Sequence, residues 1–273
     1  MRGYAPLGDA KSPRACAEAF LVTRSAAMGA KDQAAVAKQT TDPDELRALA
    51  SSRFTAVRAA VAQNGATPDE VLKVLAEDRH HLPRFAIANN PKPSASALAL
   101  RATDNSVRRV LAQRQDLPAA VIQALLQDPE RDVRRGLGWS TRDEGVLRSL
   151  AADADSHVRS VVPFNAVTPD DLIDTLSRDP DRGVRCSVVT SYRASEEQLQ
   201  RLLRDKSSLV RYWVLQYYSR RPDILAALDH DPDSEIAQQV TDLRAGRGHH
   251  GVSDLIVAEA GEKHRHRSIA QLT

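Results

Sequence analysis

Cations and aromatic side chains alternate over residues 201–222 of this 273-residue sequence. The stretch carries six cations against one acid, Asp205, and four of the eleven aromatic residues of the chain. Such a combination can stack on and neutralise single-stranded nucleic acid, or form the hot spot of a protein interface. The competing interpretation is that Trp213 and one tyrosine fill an internal core. We predict a partner-binding surface formed by Arg211, Tyr212, Tyr217, Tyr218, Arg220 and Arg221.

Other residues with chemical potential are less organised. Four histidines lie in the last 25 residues, but no carboxylate partners accompany them, so we predict neither a metal site nor a cofactor. Cys186 shares its repeat position with Ala59 and Ser160, which is typical of a small packing residue rather than a nucleophile. No nucleophile, base and acid occur together in a catalytic pattern, and we therefore predict a protein that is not an enzyme.

A hydrophobic residue, or once a proline, precedes an arginine every 24–26 residues from Arg58 to Arg211. Aspartate stands six residues before most of these arginines. The arginines either form a row that binds acidic ligands, or bond an aspartate or a helix-end carbonyl of the same or the adjacent repeat. The shared register favours the second interpretation. We predict a structural ladder formed by Asp128, Arg134, Asp153, Arg159, Asp179, Arg185 and Asp205.

Each unit of about 25 residues has room for two helices of two or three turns. Asp179-Pro180 and similar pairs predict where one helix begins, and capping boxes at Thr67, Thr168 and Ser195 predict where the other begins. Helices this short are unstable alone, so each pair must pack on the next pair. An alanine-rich composition with 4% aromatic residues fits such packing.

The sequence therefore predicts an all-α fold, an α-solenoid of about eight two-helix repeats. We expect an N-terminal helical cap over residues 1–40 and the repeats over 41–243. A glycine-rich breaker, a short helix and a mobile basic tail are expected over 244–273.

The motif Asp-x5-Arg, with valine before the arginine and proline ten residues after it, resembles the variant leucine-rich repeats. The fullest match comprises Asp153, Arg159, Asn165, Pro169, Leu172 and Leu176. The chain is more loosely similar to HEAT-like repeats. The first resemblance implies a right-handed superhelix in which one helix of each pair is short, sometimes 3₁₀. A founding member of that family holds an iron–sulfur cluster through N-terminal cysteines, whereas this region offers only Cys16.

Composition and net charge restrict the classes of function that the sequence can have. The net charge is +2, which argues against a general binder of polyanions. Two distant cysteines, no signal-like segment and no apolar run of about 20 residues predict a cytoplasmic protein without a membrane span. We expect a monomeric repeat scaffold that presents a curved surface to another macromolecule, a protein in the first place. The alternative is a HEAT-like protein that binds nucleic acid, such as a DNA-repair glycosylase.

Overall fold

The computed structural model describes residues 28–247, and its regular secondary structure over that range is entirely helical. The chain divides into two compact units, of which unit 1 ends at Ser140 and unit 2 begins at Thr141. The helices of unit 1 are α1 (Ala30–Gln39), α2 (Pro43–Ala50), α3 (Thr55–Gln63), α4 (Asp69–Ala76), α5 (His81–Ala88), α6 (Pro93–Leu100), α7 (Asn105–Ala112), α8 (Ala119–Leu126) and α9 (Arg131–Ser140).

The helices of unit 2 are α10 (Glu144–Ala151), α11 (Ser156–Arg159), α12 (Asp170–Leu176), α13 (Arg182–Thr190), α14 (Glu196–Leu202), α15 (Ser208–Tyr218), α16 (Pro222–Ala227) and α17 (Ser234–Arg244), with a 3₁₀ turn at Val162–Phe164. These helix pairs confirm the predicted all-α repeat fold. Residues 1–27 of the predicted cap and residues 248–273 of the predicted tail lie outside the described residues.

Aspartates cap three of the seven helices that carry the recurring arginine, namely α7, α11 and α13. Asp181 accepts hydrogen bonds from the backbone N–H groups of Gly183 and Val184 at 2.7 and 3.2 Å, which satisfies two of the unpaired donors of α13. Asp179, the residue expected to cap, instead accepts from the N–H of Asp181 at 2.8 Å and so shapes the preceding turn. The helix therefore begins two residues later than the Asp-Pro pair suggested.

The predicted capping boxes are present in one case of three. Ser195 and Gln198 form a reciprocal box at the start of α14. Thr67 and Thr168 do not cap, because their hydroxyls donate to the carbonyls of Val61 and Val162 at 2.6 Å. Both threonines are buried, and they tie each turn to the helix before it.

Two rows of helices build each unit. We call the helices that carry the recurring arginine the second helices, and the helices that alternate with them along the chain the first helices. In unit 1 the second helices pack side by side in the order α3, α5, α7 and α9, and the first helices α4, α6 and α8 form the other row. In unit 2, α13 packs against both α11 and α15.

The core lies between the two rows. It contains the valine before the arginine and the apolar residue three positions after it, such as Val57 and Val61 in unit 1 and Val184 and Val188 in unit 2, all 0% exposed.

One repeat departs from this regularity. Helix α11 ends after four residues and the chain continues as the 3₁₀ turn, where Pro163 stands. Proline has no N–H to donate and its ring clashes with the preceding turn. An α-helix that continued through this position would therefore be destabilised. In unit 1 the same register position holds the helical residues Ala62, Ala88 and Ala112.

Candidate binding surface

The recurring arginines bridge consecutive repeats. In unit 2, Arg185 donates from Nε and Nη2 to the two carboxylate oxygens of Asp205 at 2.6 and 2.8 Å. Its Nη1 donates to the backbone carbonyl of Asp179 at 2.7 Å. Arg185 thus bonds the preceding turn of its own repeat and the aspartate of the following repeat. Both acceptor types considered in the sequence are used at once.

Five other recurring arginines pair in the same way with an aspartate that lies twenty residues later in the sequence. The further pairs are Arg58–Asp78, Arg84–Asp104 and Arg108–Asp128 in unit 1, and Arg159–Asp179 and Arg211–Asp231 in unit 2. Arg84 is the weakest case at 3.6 Å, because Ala102 occupies the ladder position and Asp104 takes its place. We call these five pairs and Arg185–Asp205 the ladder.

Arg134 and Asp153 occupy the ladder register as predicted, with contacts to their own repeats. Nη1 of Arg134 donates to the carbonyl of Asp128 at 2.7 Å. The carboxylate of Asp153 accepts from the N–H of Asp155 at 2.8 Å, and its carbonyl accepts from Arg159 at 2.8 Å.

Pairing with arginine favours the charged form of the ladder aspartates. The hydrogen bond from Arg58 lowers the pKa of Asp78. Burial raises the pKa of Asp205, but the hydrogen bond from Arg185 and that from the Ser207 N–H outweigh it, and the net shift is downward. Because five of the six pairs have side chains no more than 13% exposed and each joins two consecutive repeats, the ladder is better suited to holding repeats together than to binding a ligand.

Arg211 belongs to the ladder and not to the predicted partner surface. The residue is 7% exposed, and its Nε lies 2.7 Å from Oδ2 of Asp231. Its position in the sequence next to Tyr212 suggested a surface role, but the helix turns the two side chains in different directions. The partner surface is corrected accordingly.

The excess positive charge of the 201–222 stretch is largely neutralised in the folded chain. Arg221 donates to both carboxylate oxygens of Glu196 at 2.8 and 2.9 Å and also to Asp223, and these bonds lower the pKa of both acids. Arg201 donates to Asp174 at 3.0 Å. A count over consecutive residues misled here, because Glu196 and Asp174 come from other segments.

The aromatic residues of this stretch do assemble. Tyr212 is 39% exposed, while Trp213, Tyr217 and Tyr218 are half-buried. The ring centroids lie 5.7 Å apart for Tyr212 and Trp213, and 5.8 Å apart for Trp213 and Tyr217. Trp213 is therefore only partly inward, and of the predicted surface residues Tyr212 and Tyr217 each adjoin its ring.

A fifth ring, which the sequence did not single out, completes this cluster. Tyr192 lies 5.1 Å from Tyr217 and 5.6 Å from Tyr218 by ring centroid, and it is 43% exposed. Its φ of +57° lies in the left-handed region and is the only positive φ of a non-glycine residue between 28 and 247. We call Tyr192, Tyr212, Trp213, Tyr217 and Tyr218 the aromatic stripe.

Exposed apolar side chains elsewhere follow the repeat register. Of nine large apolar residues that are exposed in the described part of the chain, six lie two residues before, one after or five after a recurring arginine. They are Leu82, Phe85, Trp139, Phe164, Leu209 and Tyr212. Steps of three and four residues place them on one side of each second helix. We call these three register positions, together with the position two residues after the arginine, the outer face.

Each unit has a shallow groove on its outer face. In unit 1 a groove of about 280 Å³ runs between α3 and α5, and its apolar lining comprises Ala56, Ala59, Ala60, Leu82, Phe85 and Ala86. In unit 2 a groove of about 250 Å³ lies beside α11 and α13, and its lining is mostly polar, including His157, Ser160, Arg182 and Ser187.

The remaining candidates are buried or lie outside the described residues. Cys186 is 8% exposed, and burial raises the pKa of its thiol to about 11. From residue 28 to residue 247, no three side chains of His, Cys, Asp or Glu are grouped to hold a metal ion. Over the same range no helix combines the length and the apolar character needed to cross a membrane. Cys16 and the four C-terminal histidines are not among the described residues.

Comparison with known proteins identifies the fold. No protein-family model matches the chain, and no curated protein matches it significantly. A solved leucine-rich repeat variant, described as having a novel repetitive structural motif, is 24% identical to this chain with a TM-score of 0.55. The match covers 80% of this chain and 83% of the other. The repeats described here therefore have the fold of the leucine-rich repeat variants.

Proposed function

We propose that the protein is a non-enzymatic repeat scaffold whose outer face binds another protein. The observation that carries this proposal is the register of the exposed apolar side chains, which repeat on one side of the second helices. An isolated exposed leucine is ordinary, whereas apolar side chains gathered on one face are typical of interaction surfaces.

The distribution of charge supports a protein partner over a nucleic acid. Binding to phosphates requires cations that are available to them. The ladder arginines are paired in the interior, and Arg201 and Arg221 are held by acids of the chain itself. Tyrosine and tryptophan, by contrast, are enriched at protein interfaces.

The proposal is tested by site-specific photo-cross-linking. A benzoyl-phenylalanine in place of Phe85 or Tyr212 on the outer face is compared with one in place of Val74, which is 69% exposed on the first helix α4. After irradiation in an extract of the native cells, we expect the outer-face positions to yield a defined cross-linked protein, identified by mass spectrometry, and Val74 to yield none.

Two outcomes would overturn the proposal. One is equal cross-linking from Val74 and from the outer face, which would indicate nonspecific contact. The other is the absence of any cross-linked protein together with robust turnover of a small substrate by the purified chain. A product that appears only from Phe85 or only from Tyr212 supports the proposal and assigns the partner to one unit.

A further inference from the structure

We propose that the aromatic stripe binds a proline-rich segment in the polyproline II conformation. This inference rests on the proposed function and names the chemistry of the partner. Polyproline II helices dock into grooves lined by aromatic side chains, where their preformed backbone keeps the entropic cost of binding low.

The rings form an uninterrupted series rather than separate patches. Centroid distances of 5.1–5.8 Å connect Tyr212, Trp213, Tyr217, Tyr192 and Tyr218. Adjacent rings are inclined by 40–72°, so their edges and faces alternate along the stripe. The pyrrolidine ring of proline is compact and rigid, and it packs on aromatic surfaces of this kind.

Hydrogen-bond donors within the stripe are unused. The hydroxyls of Tyr192, Tyr212 and Tyr217 and the indole N–H of Trp213 make no hydrogen bond to any residue from 28 to 247. Tyr218, in contrast, reaches the carbonyl of Val189 at 3.5 Å. A polyproline II segment has no internal hydrogen bonds, so its carbonyls are available to accept from exactly such donors.

The charges around the stripe favour a neutral ligand. Arg193 donates to the carbonyl of Thr168 at 2.7 Å, and Arg221 is bound by Glu196 and Asp223. These guanidinium groups already have acceptors. A proline-rich segment offers carbonyls and apolar rings without an anionic group, which matches the surface better than a phosphodiester chain does.

The backbone at Tyr192 gives independent support. A left-handed conformation is unfavourable for a residue other than glycine, and residues held in this way cluster at binding and active sites. Here that conformation places the ring of Tyr192 between those of Tyr217 and Tyr218. Without it the stripe would end at Tyr217.

The test uses the two tryptophans of the full chain as probe and control. The indole N–H signal of Trp213 lies in the stripe, whereas Trp139 belongs to α9 of unit 1. In a ¹H–¹⁵N spectrum titrated with an acetylated, amidated decaproline peptide, we expect the Trp213 signal to shift saturably and the Trp139 signal to stay in place. A Gly-Ser peptide of equal length serves as the control ligand, and Trp213→Phe assigns the signal.

The hydroxyl contribution is tested with Tyr217→Phe, which keeps the ring. Loss of one hydrogen bond is expected to weaken decaproline binding about three- to tenfold. No shift of Trp213 with decaproline overturns the inference, as does an equal shift with the Gly-Ser peptide or an unchanged affinity in Tyr217→Phe. A response to cellohexaose or to a dT10 oligonucleotide without one to decaproline also overturns it.

Failure of this inference is distinguishable from failure of the proposed function. If decaproline does not bind but Tyr212 still cross-links a protein that Val74 does not, only the chemistry of the partner is wrong. If cross-linking shows no preference for the outer face, the scaffold proposal itself is wrong.

Discussion

In unit 1, Arg58 places Nε 2.6 Å from Oδ2 of Asp78, and in unit 2, Arg185 places Nε 2.6 Å from Oδ2 of Asp205. The outer faces of the two units are not alike. The groove between α3 and α5 has six alanine, leucine and phenylalanine residues among its nine lining residues, whereas unit 2 combines a groove lined mostly by polar residue types with the aromatic stripe. The repeats keep the side chains that join them and vary those that face solvent, which is where differences in binding must arise.

The largest expected effect comes from breaking a central ladder pair. Arg58→Met and Arg185→Met each leave a buried carboxylate without its partner, and each should lower the free energy of unfolding by about 3–5 kcal/mol. Because the two pairs have the same geometry, the two losses should be equal within error. Urea denaturation followed by circular dichroism provides the measurement.

Arg84→Met is the matched control for this comparison. Its pair with Asp104 is longer, at 3.6 Å, and about a quarter of each side chain is exposed. The expected loss is about 1 kcal/mol. If Arg84→Met costs as much as Arg185→Met, burial does not determine the strength of the ladder.

The second expected effect is destabilisation by acid in both units. The pKa of Asp78 is lowered by Arg58, and that of Asp205 is lowered overall despite its burial. A carboxyl whose pKa is lower when folded contributes stability above its unfolded value of about 3.9, and this contribution is lost as the pH falls below it. Urea midpoints should therefore decrease steadily from pH 4 to pH 2.

A double variant separates the ladder from general acid effects. Arg185→Met with Asp205→Leu removes both charges, and such a replacement is often neutral at pH 7. Its midpoint should fall less with acid than that of the native chain. An identical decrease in both proteins would mean that groups outside the ladder dominate acid unfolding.

A smaller effect is expected where the outer face of unit 2 departs from the common backbone. At Tyr192, glycine adopts a positive φ without the penalty of about 1–2 kcal/mol that other residues carry. Tyr192→Gly should accordingly be more stable than Tyr192→Ala by about that amount, measured as the difference in free energy of unfolding. Both variants lose the ring, so the difference reports the backbone alone.

Ala166 occupies the same register position one repeat earlier, and its φ is not positive. Ala166→Gly should be neutral or destabilising. If glycine stabilises at both positions, the effect at Tyr192 does not come from its left-handed backbone.

The smallest expected effect concerns the outer face of unit 1. Gly136 lies inside α9 at the register position of Ala60, and a Cβ added there would lie 3.4 Å from Cβ of Ala112, an ordinary contact. Gly136→Ala should raise the free energy of unfolding by about 0.5–1 kcal/mol through helix propensity. Ala60→Gly should lower it by a similar amount, and destabilisation by Gly136→Ala would show that the space is needed.

Periodicity explains why the ladder was accessible from sequence. Seven copies repeat the same arginine at nearly the same interval, and a structural role common to these repeats accounts for that regularity. The partner of each arginine was not accessible, because the aspartate lies twenty residues ahead and not six behind. That choice depends on how one repeat packs on the next.

The candidate surface was predicted less completely. The contact between Trp213 and Tyr217 follows from their spacing of four residues within α15. Arg211 was misassigned and Arg221 is neutralised, because the acids that pair with them come from other parts of the chain. Tyr192 left no pattern at all, since its place in the stripe depends on a backbone conformation that tyrosine seldom adopts.

The ladder also has a direction. Each of its six pairs joins the arginine of one copy to an aspartate of the next, so a duplication or deletion of a whole copy would leave these charges matched. Asp231 receives Arg211, but Ala237 stands where that copy would carry its own arginine. This copy therefore has no ladder arginine that would need an aspartate in a following repeat. The number of copies upstream can change over evolutionary time without leaving an unpaired charge in the interior.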